Sequence, residues 1–242
     1  MGDLRELITK TEEHAVLPPG QDERFTSYGV MSVPFESGYV LALRRFPVTS
    51  IGPGYTSVWL RRPTGAWTIY ADAAPEMSCS RYFGSALESS SVHDITITWH
   101  DGDSFTVRIG DDVDLTWNVR VEAAPVTRLM SAFAGVIPGP LWRSRVFLKA
   151  MGAVAGPSMR AGRIGLVGEV PNHQAFRANP HRMWFVAESS ATLQGEDLGR
   201  LGPLSEQTRL GDFWIPQRGI VMIGSSAFET FDPGRHLPAT AA

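Results

Sequence analysis

The densest group of side chains that could do chemistry lies in ADAAPEMSCSRYFG, residues 71–84. Arg81 and Tyr82 are adjacent there, and Asp72 and Glu76 precede them. An arginine beside a tyrosine hydroxyl can bind a carboxylate or polarise a carbonyl oxygen. A buried arginine needs an acidic partner, because an isolated charge in apolar surroundings is costly. We therefore predict catalytic roles for Arg81, Tyr82 and Glu76, with Asp72 among the substrate-binding residues.

Other interpretations of this segment stay open. Arg81 can form an ordinary surface pair with Glu76 while Tyr82 belongs to the core. If the segment is a strand, Arg81 and Tyr82 lie on opposite faces, and a register shift of one residue exchanges them. Either side chain can therefore be the one that faces a cavity.

Aromatic residues are the second feature that bears on function. The chain has seven Trp and twelve Phe, and most of the tryptophans lie in predicted strands. Such residues supply apolar core, and they can equally line a cavity for an apolar ligand. We predict substrate contacts for the following aromatic side chains: Tyr55, Trp59, Trp99, Trp117 and Trp184.

The motifs of the common cofactor and metal sites do not occur in the sequence. The glycine-rich stretch 49–59 precedes a strand and has no lysine, unlike a phosphate-binding loop. The six histidines show no HExxH spacing, and no GxSxG motif is present. Lys149 falls on the polar face of a predicted helix, which favours a solvated lysine over a Schiff base. We predict no metal and no cofactor.

Composition limits the classes of protein and partner. The 242 residues carry 22 basic and 25 acidic side chains, a formal net charge of −3, which argues against nucleic acid as the partner. A single cysteine, Cys79, excludes an internal disulfide framework. No apolar run is long enough for a membrane span, and the polar N-terminus is unlike a signal peptide. We expect a cytoplasmic protein that binds a hydrophobic small molecule. A homo-oligomer is compatible with the sequence.

Alternation of apolar and polar residues predicts strands along most of the chain. The predicted strands are residues 39–46, 55–61, 67–71, 95–100, 105–109 and 115–121, with further strands within 163–193 and 213–224. A helix is predicted over residues 3–14, and a helical pair at about 127–156 is broken by Pro-Gly-Pro.

Closely spaced strands with short turns are typical of sandwiches and barrels. We predict a mainly β fold, an antiparallel closed or nearly closed barrel with a central cavity, and the helical pair inserted at about 127–156. One domain is expected over residues 1–242. Residues 1–20 would form an N-terminal helical arm, and 230–242 a loose tail.

Several short segments together resemble the acetoacetate decarboxylase-like superfamily. They are TSIGPGYTS (49–57), EMSCSRYFG (76–84), VPN (170–172), LQGEDLGRLGPL (193–204) and IPQRGIV (215–221). The resemblance implies a coned antiparallel barrel with a helical segment between two groups of strands. A second resemblance, to calycin-type barrels that include the carotenoid hydratase-like group, also implies a hydrophobic ligand.

The first family's catalytic residues are not matched. The place of its Schiff-base lysine holds Arg81, Tyr82 and Phe83, and its acidic residues would fall at Ser57 and near Ala42. The resemblance therefore implies the barrel without the decarboxylase machinery. We predict an enzyme that acts on a small hydrophobic carbonyl or polyene compound as a lyase, cyclase or isomerase. The alternative is a non-catalytic binding protein or carrier for such a molecule.

Overall fold

The computed structural model describes residues 3–110 and 112–239 of the chain. The helices are Leu4–Glu13 (α1), Ser80–Phe83 (α2), Pro125–Val136 (α3) and Arg145–Ser158 (α4). The strands are Glu23–Pro34 (β1), Val40–Thr49 (β2), Tyr55–Arg61 (β3), Trp67–Ala71 (β4), Ser89–Val92 (β5), Ile95–Trp99 (β6), Ser104–Ile109 (β7), Leu115–Glu122 (β8), Val167–Glu169 (β9), Ala175–Leu193 (β10), Glu196–Asp197 (β11), Arg209–Leu210 (β12), Phe213–Trp214 (β13) and Ile220–Phe228 (β14).

The strands form one curled, mixed sheet and a small hairpin. The order across the sheet is β5-β4-β3-β2-β1-β14-β10-β8-β7-β6, with β9 and β11 also paired to β10. Neighbouring strands are antiparallel except β4 and β5, which are parallel. The hairpin consists of β12 and β13. The fold is therefore mainly β, as predicted, and the predicted helical pair is confirmed as α3 and α4.

The prediction of an antiparallel barrel, closed or nearly closed, is wrong. The curl brings β6 towards β3, but the sheet ends at β5 and β6, so that it forms a half-barrel. The sheet is also mixed, because β4 and β5 are parallel neighbours, which require a crossover connection. Residues 72–88 make this crossover and contain α2, where the alternation had allowed a strand. Alternation along a strand reports burial, and it does not specify which edges pair.

The inner face of the curled sheet is filled with side chains. Val58 and Leu60 of β3 share one hydrophobic core with Val107 and Trp117 from the opposite side of the curl. Helix α1 adds Leu4 and Ile8 to this core; the α1 N-cap is Asp3, whose carboxylate accepts a hydrogen bond from Arg5 N–H at 2.9 Å. The interior of the curl is thus a packed core, where a ligand cavity was predicted.

The outer face of the sheet is covered by helices and loops. The crossover, helices α3 and α4, and residues 195–216 pack against alternate residues of β1, β2, β3, β10 and β14. Helix α3 begins at Pro125, and α4 begins after Ser144, whose hydroxyl accepts a hydrogen bond from Phe147 N–H at 3.3 Å. The space between this cover and the sheet contains an apolar cavity.

The segment after β14 has no helix or strand over residues 230–239, yet it is hydrogen bonded to β1 and to the loop between β9 and β10. Leu237 N–H donates to Asn172 O at 3.1 Å, and Phe231 N–H donates to the Glu23 carboxylate at 3.3 Å. Within the described ranges, no helix is long and apolar enough to cross a lipid bilayer.

Candidate binding site

A large apolar cavity lies between the outer face of the sheet and its helical cover. Its volume is about 560 Å³, within the range of sites for drug-sized ligands. The sheet side includes Phe25, Phe46 and Trp59, and the cover includes Phe83 and Phe213. Methionines from both sides complete much of the remaining lining: Met31, Met130, Met151, Met159, Met183 and Met222. Such unbranched thioether chains adapt to ligands of varied shape.

Arg44 is the one cationic side chain on the cavity lining of the described residues. On β2, Leu41 and Leu43 point to the inner core, so that alternation turns Arg44 to the outer face. Its partner across the strand pair is Gly29. A Cβ at Gly29 would lie 2.1 Å from Leu43 O, so only glycine allows this close approach of β1 and β2.

A bulge in β1 supplies hydrogen-bond acceptors to Arg44. The register of β1 against β2 shifts between Val30 and Val33. Arg44 Nη1 donates to Val30 O at 2.5 Å and to Leu43 O at 3.1 Å, while Nη2 donates to Met31 O at 3.0 Å. These bonds fix the guanidinium plane at the floor of the cavity.

Arg44 is a buried charge that lacks a carboxylate partner among the described residues. It is 5% exposed, and its hydrogen bonds go to backbone carbonyls. Its guanidinium carbon lies 5.1 Å from the Trp59 ring centroid and 5.9 Å from that of Phe213. Burial lowers the pKa of Arg44 to about 10, so it stays protonated at neutral pH.

The unused N–H groups of Arg44 have the geometry that binds carboxylates. Three of its five N–H groups are engaged, which leaves Nε–H and one Nη2–H. The same two nitrogens of Arg81 hold Glu23, at 3.0 and 2.7 Å, and those of Arg45 hold Glu12, at 2.8 and 3.0 Å. The free side of Arg44 is therefore a bidentate anion-binding fork.

Hydroxyl and thiol groups lie near Arg44: Ser57 is its cross-strand neighbour on β3, and Tyr55 and Cys79 line the same cavity. Tyr55 Oη and Ser57 Oγ each lie 3.4 Å from Cys79 Sγ, and Trp59 Nε1 donates to Ser57 Oγ at 3.2 Å. Burial raises the pKa of Cys79, although hydrogen bonds from Ser57 and Tyr55 oppose the shift. Burial also raises the pKa of Tyr55. Both groups are therefore neutral and can donate protons, and neither is an anionic base.

Arg81 and Tyr82, predicted to act together on a substrate, are joined instead by Glu23. Arg81 holds the Glu23 carboxylate in the bidentate pair described above, and Tyr82 Oη donates to it at 2.5 Å. Gln174 Nε2 donates to the same carboxylate at 3.3 Å. Burial alone raises the pKa of Glu23, but the bonds from Arg81, Tyr82 and Gln174 outweigh it and hold that pKa below its usual value.

The acids predicted to serve Arg81 lie elsewhere. Glu76 is exposed, and Arg81 reaches only its backbone oxygen, at 3.5 Å. Asp72 is also exposed, and its carboxylate accepts from Thr56 N–H at 2.6 Å. Neither lines the cavity, and Arg81 does not line it either, whereas the Tyr82 ring does.

The predicted aromatic contacts divide between the two faces of the sheet. Tyr55 and Trp59 line the cavity. Trp99, Trp117 and Trp184 belong to the inner core or pack against it, away from the cavity. The sequence did not separate these three from Tyr55 and Trp59, because alternation shows that a side chain is buried without showing on which side of the sheet.

Sequence reasoning missed Arg44 and Glu23. A signal for Arg44 exists: YVLAL (39–43) is apolar at successive positions, which indicates a strand buried on both faces. An arginine that continues such a strand must be buried, and so must bind something. Glu23 carries no comparable local signal, because its partners are distant in sequence.

Within residues 3–110 and 112–239, no group of three or more His, Cys, Asp or Glu side chains could hold a metal ion. The site instead offers the Arg44 cation, the buried proton donors Tyr55 and Cys79, and an apolar cavity. Chemically, it can hold an organic anion or a polarised carbonyl oxygen beside a hydrophobic body.

No protein-family model and no curated protein matches the sequence. Among solved structures, the chain is similar to acetoacetate decarboxylase from Legionella pneumophila subsp. pneumophila. The two are 9% identical, the match covers 93% of this chain and 90% of that one, and the TM-score is 0.45. That structure belongs to the family that the sequence segments resemble, and the similarity between the two chains is weak.

Proposed function

We propose that this protein binds a small organic molecule with an apolar body and one anionic oxygen group, such as a carboxylate or an enolate. The body occupies the cavity on the outer face of the sheet, and the anionic group binds the free N–H groups of Arg44. The observation that carries this proposal is a buried, protonated arginine without a carboxylate partner among the described residues.

Electrostatics supports an anionic ligand over a neutral one. An uncompensated buried ion costs several kcal/mol even after relaxation of its surroundings. Three carbonyl oxygens and two aromatic rings offset part of that cost at Arg44. A ligand anion would supply the missing opposite charge in a site of low dielectric, where the attraction is strong. The cavity therefore favours organic acids over isosteric alcohols or esters.

The direct test compares ligands that share one carbon skeleton. Calorimetry would measure the dissociation constants of decanoate, decanol and methyl decanoate, with phenylbutanoate and its methyl ester as an aromatic pair. We expect each acid to bind at least tenfold more tightly than its neutral counterparts, since one charge-assisted hydrogen bond is worth about 1.5–3 kcal/mol. Equal affinities across each set would contradict a role for Arg44 as an anion anchor.

A second candidate function is catalysis on such a ligand, as a lyase, cyclase or isomerase of a hydrophobic carbonyl or polyene compound. The observation that favours it is the contact of Cys79 with both Tyr55 and Ser57 on the Arg44 floor. Loss of CO2 from a β-keto acid would leave the electron pair of the broken C–C bond in an enolate, whose oxygen Arg44 would stabilise. The Tyr55 hydroxyl or the Cys79 thiol would then donate its proton to the enolate carbon and recover a proton from water.

The catalytic candidate is tested by variants that keep the cavity. Tyr55→Phe and Cys79→Ser would be incubated with hydrophobic keto acids, and the products followed by mass spectrometry in deuterated water. Catalysis predicts deuterium incorporation by the wild type, and a kcat at least 100-fold lower in one of the variants with little change in KM. Absence of turnover and exchange in the wild type would leave a binding protein or carrier.

Arg81, Tyr82 and Glu23 are given a structural role in this proposal. Their hydrogen bonds tie the crossover to β1 beside the cavity, so they would shape its wall without contacting the ligand's anionic group. Turnover or binding that depends on the Arg81 charge, with the fold intact, would contradict this assignment.

A further inference from the structure

Helices α3 and α4 expose apolar side chains in two stripes. Leu129, Phe133 and Val136 lie at positions i, i+4 and i+7 of α3, and they are 69%, 49% and 74% exposed. On α4, Val146 and Val154 lie eight residues apart and are 80% and 63% exposed. With Leu141, these are six of the ten large apolar side chains that the described residues expose. Exposed apolar stripes on neighbouring helices indicate a surface that contacts a partner or a membrane.

The segment that contains these two helices carries an unbalanced positive charge. Between Glu122 and Glu169 the sequence has no acidic residue and six basic ones: Arg128, Arg143, Arg145, Lys149, Arg160 and Arg163. All six are exposed. The ion pairs found in the described residues involve other cations. The whole chain nevertheless has a net charge of −3, so its acidic residues lie outside this segment.

We propose that the α3–α4 face, meaning the exposed side chains of residues 125–163, docks on an anionic lipid bilayer. Exposed apolar residues interleaved with unpaired cations are the pattern by which helices lie in the interface of a membrane. Each basic residue near an anionic leaflet strengthens binding, and exposed valine, leucine and phenylalanine side chains insert between headgroups. This docking rests on residues 125–163 and does not depend on the cavity's ligand.

A second copy of the chain is a less favourable occupant. A two-fold dimer through this face would place the same patch against itself, so that Arg145 and Lys149 of one copy would approach the cations of the other. No carboxylate from residues 123–168 is present to neutralise them. An anionic bilayer supplies that neutralisation.

The docking surface also borders the mouth of the cavity. Leu129, Phe133 and Val154 line the cavity and are exposed to solvent at the same time. A molecule that leaves a bilayer beneath α3 and α4 would reach the cavity without crossing open water. The two features fit a protein that collects or releases its hydrophobic ligand at a membrane surface.

Flotation with vesicles tests the proposal directly. The full chain would be mixed with vesicles of phosphatidylcholine alone, and with vesicles of phosphatidylcholine and phosphatidylglycerol in equal parts. We expect flotation with the anionic vesicles, little with the neutral ones, and release as salt is raised. Flotation that is absent with both, or equal with both, would overturn the proposal.

Variants separate docking from folding and from ligand binding. Arg145→Gln with Lys149→Gln removes two cations, and we expect the affinity for anionic vesicles to fall on the order of 30-fold. Val136→Ser with Val146→Ser should lower it about tenfold, and neither valine lines the cavity.

The matched control is Arg108→Gln with Arg200→Gln, which removes the same charge at exposed sites outside the α3–α4 face. We expect vesicle binding within about twofold of wild type, since cations beyond a Debye length of the bilayer contribute little. Equal losses in the control pair and in the α4 pair would overturn the assignment to this face. A dimer would also overturn it, if light scattering detected one, if the Val136 and Val146 substitutions dissociated it, and if the protein bound no vesicles.

Discussion

Replacement of Arg44 by methionine removes the guanidinium while it keeps an unbranched apolar chain on β2. In the free protein two effects oppose each other. The three carbonyls that accept hydrogen bonds from Arg44 lose their donor, at a cost of roughly 1–3 kcal/mol each where water cannot replace it. The removal of a buried charge without a carboxylate partner is favourable by several kcal/mol. We expect the free energy of unfolding to change by less than about 2 kcal/mol.

Ligand affinity should respond much more strongly than stability. The free Nε–H and Nη2–H of Arg44 would form two charge-assisted hydrogen bonds to a carboxylate, each worth about 1.5–3 kcal/mol. Their loss corresponds to an affinity at least 100-fold lower for decanoate. The affinity for methyl decanoate, which binds through the apolar lining, should stay within about threefold of wild type.

Calorimetry with both ligands, and urea unfolding without ligand, would measure these quantities. Arg108→Met is the matched control, because Arg108 is exposed on β7 and does not line the cavity. If Arg44→Met bound decanoate as tightly as wild type, Arg44 would not be the anion anchor. If the variant failed to fold, Arg44→Lys would replace it, because lysine keeps the charge but lacks the bidentate fork. We would then expect a smaller loss of affinity for decanoate.

Other predictions concern the elements that shape the site. Gly29→Ala should destabilise the protein by about 3 kcal/mol in urea unfolding, because the added Cβ would meet Leu43 O at 2.1 Å; a stable variant would contradict the close strand approach. The lowered pKa of Glu23 stabilises the fold above the ordinary glutamate value of about 4.3, and this contribution is lost as pH falls through the lowered pKa. In Glu23→Gln the urea midpoint should therefore fall less between neutral pH and about pH 3 than in the wild type. The variant should also lose about 2 kcal/mol of unfolding free energy at neutral pH, because Arg81 loses its partner. An unchanged fall of the urea midpoint with pH would contradict this role of Glu23. Trp117→Ala should cost about 3–5 kcal/mol of stability and leave the decanoate affinity of the folded protein nearly unchanged; a large loss of affinity would place that ring at the ligand.

The sequence predicted local structure well where one face of an element is buried. Periodicity gave β3 and β4 at their observed bounds, and it predicted the helical pair α3–α4. The closed barrel was wrong because closure depends on which edges meet, and the edge strands β5 and β6 do not pair with each other. Alternation also could not distinguish the filled inner face from the outer face with the cavity, which is why Trp117 was assigned to the ligand.

The candidate site was predicted only in part, for a related reason. Tyr55 and Trp59, predicted to contact the ligand, line the cavity, whereas Arg81 binds Glu23, a residue 58 positions away in sequence. Pairings over such separations leave no local pattern. Arg44 was detectable in principle, because it continues a strand that is apolar at successive positions.

Native mass spectrometry of the freshly purified protein tests the anion-binding cavity most directly. The native mass would be compared with the denatured mass for the wild type and for Arg44→Met. We expect the wild type to carry an adduct on the order of a few hundred daltons, the size that such a cavity accommodates. The extracted molecule should be an apolar acid, and Arg44→Met should lack it. A wild-type protein without an adduct, which also shows no shift in melting temperature with decanoate or phenylbutanoate, would contradict the proposed function.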